Sequence, residues 1–300
     1  MRTIAKKLTY LVLLVVKPLV FALINSKPFL VSSRLFMRVF NPKRDIAVDV
    51  RGTTMYANSL DRLLALLFWK HSLVEGYEAA LMERLVKPGM RVVNCGANIG
   101  YYTLHLARWV GREGEVIAFE PDPNCVRLLK KNAEANGLQN IKVEPLAVAD
   151  KPSTRELYFC EENRGDHRLF NNEADREALQ VQATSLDEYF PAGTRVDLIK
   201  MDIQGSELQA LNGMTRVLSE NPEAMVLSEF CPTLLEGSGA SGAEFLSRLD
   251  ELGYDVQFVN ETKNRVEEMS SAELLRVCAK EYYCSIIARR REQISQAVGY

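Results

Sequence analysis

Residues 92–107, VVNCGANIGYYTLHLA, followed at 116–123 by VIAFEPDP, decide the fold of this chain. An apolar run enters a tight Gly-Ala-Asn-x-Gly turn and a helical pattern begins at once. A second apolar run then ends on an acid, Glu120. Strand, glycine turn, helix, strand and terminal acid are the parts with which an α/β domain holds a nucleoside. The turn lets the backbone come close to the ligand, and the acid accepts hydrogen bonds from two ribose hydroxyls. The turn reads Gly96-x-x-x-Gly100 rather than G-x-G-x-x-G. The third glycine of a pyrophosphate-binding fingerprint therefore has no counterpart.

A wider turn without a phosphate cradle suits a nucleoside ligand that lacks a pyrophosphate, such as S-adenosylmethionine. It disfavours a nicotinamide-dependent oxidoreductase. A tight turn in some other α/β sheet is the bland alternative.

Outward from this stretch, strands and helices alternate, the mark of a parallel sheet with crossover helices. Strand 91–95 leads to a helix from about Asn98 to Val110, closed by Gly111. Strand 115–119 leads to a helix with Asp122 as N-cap and Pro123 in its first turn, closed at Asn136-Gly137. Strand 140–146 follows. Residues 151–183 break the rhythm with an edge strand, a polar stretch and a further strand. This insertion is a natural place for acceptor contacts, or an ordinary surface excursion. A short helix opens at Thr184-Ser185-Leu186-Asp187, and strand 196–202 leads into a helix whose Leu208, Leu211 and Leu218 face the sheet. Strand 224–230, helix 241–252 and two final strands, 254–259 and 282–288, complete the pattern, with a helical segment between the last two. These elements predict a Rossmann-like α/β fold: a seven-stranded, mostly parallel sheet with helices on both faces. Upstream, 46–60 alternate like a small hairpin around Gly52, and 61–86 are helical with an interruption near Gly76. The expected organisation is a basic, apolar N-terminal segment (1–44), a hairpin and helical cap (45–90), a catalytic domain (91–290) and a tail (291–300).

Charge is divided unevenly. Residues 1–44 hold nine basic residues and no acid, against a net charge of −2 for all 300 residues, which leaves the rest at −11. A basic, apolar N-terminus on an acidic body points to an anionic membrane surface, and an acidic body lacks the basic groove a nucleic-acid substrate needs. Residues 8–24, LTYLVLLVVKPLVFALI, sit at the short limit for a membrane span, with Lys17-Pro18 in the middle. The favoured reading is a helix in the interface of the inner membrane face, with the body in the cytoplasm. A true span and a helix packed on the body are the alternatives. Six cysteines form no C-x-x-C pair and no grouping with the three histidines of zinc spacing, which points to reduced thiols. His71 and His105 are read as surface or core residues. The acids are too scattered to assign a metal.

With these motifs in place the chain resembles the FkbM family of methyltransferases over roughly residues 60–290. The resemblance rests on KPGMRVVNCGANIGYYTLHLA (87–107), VIAFEPDPNCVRLLKKNAEANGL (116–138), LAVAD (146–150), SLDEYF (185–190), VDLIKMDIQGSELQALNG (196–213) and LSEF-x-P (227–232). It implies methyl transfer from S-adenosylmethionine, typically to a hydroxyl of a sugar, lipid or polyketide. The family usually carries Asp where this chain has Asn94, and Glu where it has Gln204. Asn keeps the shape and a hydrogen-bond acceptor but loses the charge that answers the cofactor's ammonium.

Carried onto this sequence, Asn94, Gly96, Ala97, Asn98 and Gly100 form the loop under the methionine end and the ribose, and Glu120 binds the ribose. Asn98 is alternatively a helix cap. Adenine is read by backbone near Ala147 and Val148. Lys200 and Asp202, two apart at a strand end, share one side of the chain. Asp202 is the expected proton acceptor, and Lys200 steadies it or the developing alkoxide. A structural pairing of the two is the alternative. Gln204, Glu207 and Glu229 are expected to bind the acceptor. A non-catalytic, membrane-associated binding or assembly protein on the same fold is the reading of a different class. Asn94 and Gln204 favour it, and the intact Gly96, Gly100, Glu120, Lys200 and Asp202 oppose it.

Overall fold

The computed structural model describes residues 45–50, 52–58, 76–159, 167–171, 177–281 and 283–291. The expectations for 1–44, for 61–75 with His71, and for the tail from 292 lie outside the described residues. In chain order the elements open with β1 (Asp45–Val50), β2 (Thr53–Asn58), α1 (Tyr77–Leu85), β3 (Arg91–Cys95), α2 (Tyr101–Val110), β4 (Glu115–Phe119), α3 (Pro123–Ala135) and β5 (Ile141–Glu144). Next come β6 (Ala147–Val148), β7 (Ser153–Tyr158), β8 (Ala178–Thr184), α4 (Leu186–Tyr189), β9 (Leu198–Met201), α5 (Glu207–Asn212), α6 (Thr215–Glu220) and β10 (Met225–Phe230). The chain closes with α7 (Pro232–Gly237), α8 (Gly242–Glu251), β11 (Tyr254–Asn260), β12 (Arg265–Glu268), α9 (Ser271–Glu281) and β13 (Cys284–Arg290).

The main sheet runs β12-β11-β13-β10-β9-β3-β4-β5. Pairs β10·β9, β9·β3, β3·β4 and β4·β5 are parallel, and β13 is antiparallel to both of its neighbours. This is the expected mostly parallel sheet with one late antiparallel strand, widened to eight by β12. That strand folds back on β11 across residues 261–264, in a stretch read from sequence only as part of a helical connection. Two other expectations are corrected. The strands of the 151–183 insertion do not edge the main sheet but join β6 in a separate three-stranded sheet, β6-β8-β7. The helix after β9 is two short helices broken at Gly213, which packs so closely that a Cβ there would lie 2.2 Å from the Ala149 carbonyl oxygen.

Both faces of the main sheet are covered, so its strands read as continuous apolar runs. Val93, Ile199, Met201 and Val226 pack with Leu211, Leu218 and Phe245 on one side. Val92, Leu198, Leu227 and Ile287 pack with Leu81, Leu106 and Val110 on the other. Each such fully buried aliphatic side chain contributes about 1.5–3 kcal/mol. The hairpin β1–β2 seats Val48, Val50, Met55 and Ala57 against Leu104, Cys125 and Leu128. Asn132 and Asn136 of the α3 region fix it by accepting from the N–H groups of Tyr56 and Thr54, at 2.6 and 3.1 Å. The reduced-thiol expectation fails at one pair: Cys278 and Cys284 form a disulfide between α9 and β13, while Cys95, Cys125 and Cys231 are buried thiols outside it.

The chain proceeds β3, β4, β5 in one direction and then returns to β9 and β10 on the far side of β3. Adjacent helices on the two sides of this reversal diverge, opening a crevice at the carboxyl ends of β3 and β9.

Candidate active site

A cavity of about 220 Å³ occupies that crevice. The turn after β3 forms its floor. Its backbone N–H groups are already committed: Gly96 and Ala97 donate to the Phe119 carbonyl at 3.0 and 2.9 Å, and Gly100 donates to the Ala97 carbonyl. Asn98 donates to Glu120 Oε2 and Ile99 to Asn98 Oδ1, each at 2.7 Å. No amide of the turn is therefore left to cradle a pyrophosphate, which is the physical content of the altered glycine spacing.

Gly96 and Gly100 are held to glycine by the protein's own atoms and not by a ligand. A Cβ on Gly96, where φ is 81°, would meet the Asp202 carbonyl oxygen at 1.9 Å, so neighbouring backbone rather than ligand demands glycine there. Gly100 does not line the cavity. It is the N-cap of α2, and a Cβ would meet Leu129 Cδ1 of α3 at 2.3 Å. Asn98 adopts φ 50° and makes no cap, so the helix-cap alternative is dropped.

Glu120 stands where the sequence placed it, 6% exposed, its Oε2 on the Asn98 N–H and its Oε1 on the Asp122 N–H at 2.9 Å. Burial raises its carboxyl to about 7 against the pull of these two amides. A carboxylate has lone pairs beyond two, so ribose hydroxyls still find acceptors. Asn94 is 1% exposed and lines the cavity. Its Nδ2 donates to Thr103 Oγ1 at 2.9 Å, and its Oδ1 is buried with no hydrogen-bond partner among the described residues. An unsatisfied buried acceptor on a side chain that lines the cavity is fitted to a donor group of a ligand, a cation included. Ala147 and Val148, which the sequence assigned to adenine, form one wall together with Leu146. Leu157, His167 and Leu169 join it from the small sheet and the 167–171 segment. The insertion thus contributes to this wall, where the sequence pointed to acceptor contacts or an ordinary surface excursion. His167 Nε2 lies 3.3 Å from Asp122 Oδ2, the other oxygen of the residue that caps α3. His105 is a buried helix residue stacked on Trp109, as expected.

At the end of β9 the polar residues converge. Lys200 Nζ is 3.4 Å from Asp202 Oδ2 and 4.4 Å from the centre of the Tyr102 ring. Burial pulls the Lys200 pKa down, but the negative charges of Asp202, Glu78 and Glu229 outweigh it and leave the net direction upward. Gln204 donates through Nε2 to Asp202 Oδ1 at 2.9 Å and to Glu229 Oε2 at 2.8 Å. Burial, then the charges of Asp202 and Glu207, push the Glu229 carboxyl well above the usual carboxylate range. Glu207 departs from its expected acceptor role. It is 4% exposed, does not line the cavity, and its two oxygens take the N–H groups of Ile203 and Gly205 at 3.1 and 2.9 Å. It shapes the loop that carries Gln204. Among the described residues no group of three or more His, Cys, Asp or Glu could hold a metal ion.

Sequence reasoning missed Tyr101 and Tyr102, which line the cavity from the first turn of α2, and Glu78, which takes the hydroxyls of Tyr102 and Ser285. The paired tyrosines directly after the glycine turn were a legible signal. Glu78 had none, since it reaches the site only because α1 packs across the sheet.

The methyltransferase FkbM domain profile matches residues 94–256. A methyltransferase of Sordaria araneosa, sdnD, is 24% identical over 233 residues, covering 67% of this chain and 82% of that protein. Methyltransferase 1 of Beauveria bassiana is 22% identical over 144 residues, 41% of this chain and 57% of that protein. Among solved structures, a Thermotoga maritima SAM-dependent O-methyltransferase aligns at 16% identity over 84% of this chain and 80% of that one, with a TM-score of 0.41. With more than half of its length matched by that profile, the chain belongs to the FkbM family of S-adenosylmethionine-dependent methyltransferases.

Proposed function

We propose that the enzyme methylates a hydroxyl oxygen of a sugar, glycolipid or other hydroxylated metabolite, with Asp202 as proton acceptor. The observation that carries this reading is the Asp202 carboxylate on the cavity wall, flanked by the Lys200 ammonium and the Gln204 carboxamide. The Asp202 side chain is 36% exposed and that of Lys200 only 4%, so Asp202 is the member of the pair that reaches a ligand. S-adenosylmethionine supplies a methyl group on a sulfonium that already carries its leaving group. The protein has to bring the acceptor oxygen into line and take its proton. Asp202 takes that proton, and Lys200, charged and fixed, lowers the energy of the oxygen as negative charge develops on it. Gln204, on the cavity wall, would hold the acceptor, with Glu229 behind it bonded to the Gln204 Nε2. Asn94, Ala97, Asn98, Glu120, Ala147 and Val148 would hold the cofactor.

The test supplies the enzyme with methyl-labelled S-adenosylmethionine and a range of hydroxylated sugars and glycolipids. An alkali-stable methyl ether is expected. Asp202→Asn should lose about 10²–10⁴ in rate while still binding S-adenosylhomocysteine. An alkali-labile ester, a methylated nitrogen, or an unimpaired Asp202→Asn enzyme would sink the reading.

A membrane-borne acceptor is part of the same proposal. Its support is the basic, apolar segment 1–44 joined to an acidic body. That acidic body also argues against a nucleic-acid partner. No helix among the described residues is long and apolar enough to cross a membrane.

A further inference from the structure

Asn94 stands at the end of β3 with the two ends of its carboxamide in different surroundings. Nδ2 is bonded to Thr103 Oγ1 at 2.9 Å, and Oδ1 is buried and unpartnered among the described residues. Its register neighbour Lys200 does not supply the missing donor, being directed to Asp202 and the Tyr102 ring. A carboxamide has nearly the same shape in either of its two orientations, so shape alone does not choose which end faces the cavity. One orientation presents an acceptor to a cation; the other presents two N–H groups, which repel it. A carboxylate would have no such ambiguity, because both of its ends accept.

We propose that Thr103 is a positioning residue for the cofactor: its hydroxyl holds Nδ2 of Asn94 so that Oδ1 faces the ammonium of the cofactor's amino-acid end. Thr103 is 0% exposed, in the first turn of α2, so the helix backbone carries its hydroxyl to a buried place beside Asn94. It touches the cofactor site only through Asn94 and does not itself line the cavity. The proposal rests on the cavity's being the cofactor site with Asn94 at the amino-acid end.

Calorimetry on the full chain tests it with two probes. S-adenosylhomocysteine carries the ammonium; 5′-methylthioadenosine has the same nucleoside without the amino-acid end. Thr103→Val is expected to weaken S-adenosylhomocysteine about tenfold and leave 5′-methylthioadenosine unchanged, with Thr103→Ser restoring the lost affinity. In an Asn94→Asp background, where neither end needs selecting, the same valine substitution should have a smaller effect. Equal weakening of both probes, no weakening of either, or an undiminished effect in the Asn94→Asp background would each overturn the proposal. If Thr103→Val does not fold, Thr103→Ala is read by the same comparison. Should the unaltered protein bind neither probe, the assignment of the cavity fails instead, and the two failures are told apart.

Discussion

Glu120 Oε2 takes the backbone N–H of Asn98 at 2.7 Å, tying the end of one strand to the glycine turn that follows its neighbour. One carboxyl thus shapes the turn and faces the cavity, so its charge state is linked to cofactor binding.

Burial raises the Glu120 carboxyl to about 7 from 4.5. Hydroxyl donors favour the ionised form, so binding should release a proton and affinity should rise with pH. Between about pH 6 and about pH 8 the gain for S-adenosylhomocysteine should approach tenfold. Glu120→Gln should abolish the pH dependence, and Glu120→Ala should weaken binding by roughly 1.5–3 kcal/mol. Titrations in buffers of different ionisation enthalpy measure the proton directly, and a flat pH profile would remove the assignment.

Stability should move the opposite way. Glu120 and Glu207 are both raised to about 7 by burial, so the folded chain holds more protons than the unfolded one between their unfolded values and about pH 7. Their contribution is present at low pH and is lost as pH rises through that window. The free enzyme should therefore melt at a lower temperature near pH 8 than near pH 5.5. Glu207→Gln isolates its share: the variant's stability should fall less over that range. An identical pH slope in the variant would show that Glu207 is not the group responsible.

Asn94→Asp should tighten S-adenosylhomocysteine by about 1 kcal/mol, because both ends of the introduced carboxylate accept and either can face the cation. The gain should vanish for 5′-methylthioadenosine. Weaker binding in calorimetry would mean that Lys200, beside it in register, captures the new charge.

Gly96→Ala should destabilise the fold by about 3 kcal/mol. A left-handed residue with a side chain costs about 1–2 kcal/mol, and displacing the Asp202 carbonyl, 1.9 Å from the new Cβ, adds a comparable overpacking penalty. Denaturant unfolding measures it; a loss below about 1 kcal/mol would show that β9 yields easily.

The full chain should float with anionic liposomes, each basic residue of 1–44 near the headgroups contributing about 1 kcal/mol. A chain beginning near Asp45 should stay in solution and still bind cofactor. High salt should release a surface-bound helix but not a spanning one. Failure of the full chain to float, or of the shortened chain to fold, would assign the segment to the core.

The sequence by itself determined the α/β class, the mostly parallel sheet with crossover helices, the glycine turn, Glu120, and the Lys200–Asp202 pair. Each of these is carried by local patterning: apolar period, turn chemistry and caps such as Asp122, which accepts from Asn124 N at 2.8 Å as read. Only the tertiary structure decided what depends on approach between distant segments. Gly96 is glycine because β9 backbone crowds it, Glu207 serves its own loop rather than an acceptor, and Cys278 pairs with Cys284. Glu78 and Thr103 enter the site because α1 and α2 pack on the face of the sheet where Asn94 and Lys200 end. A side chain's period tells which face it takes, but not which charge, carbonyl or ring from elsewhere in the chain it will meet there, and those meetings decide the chemistry.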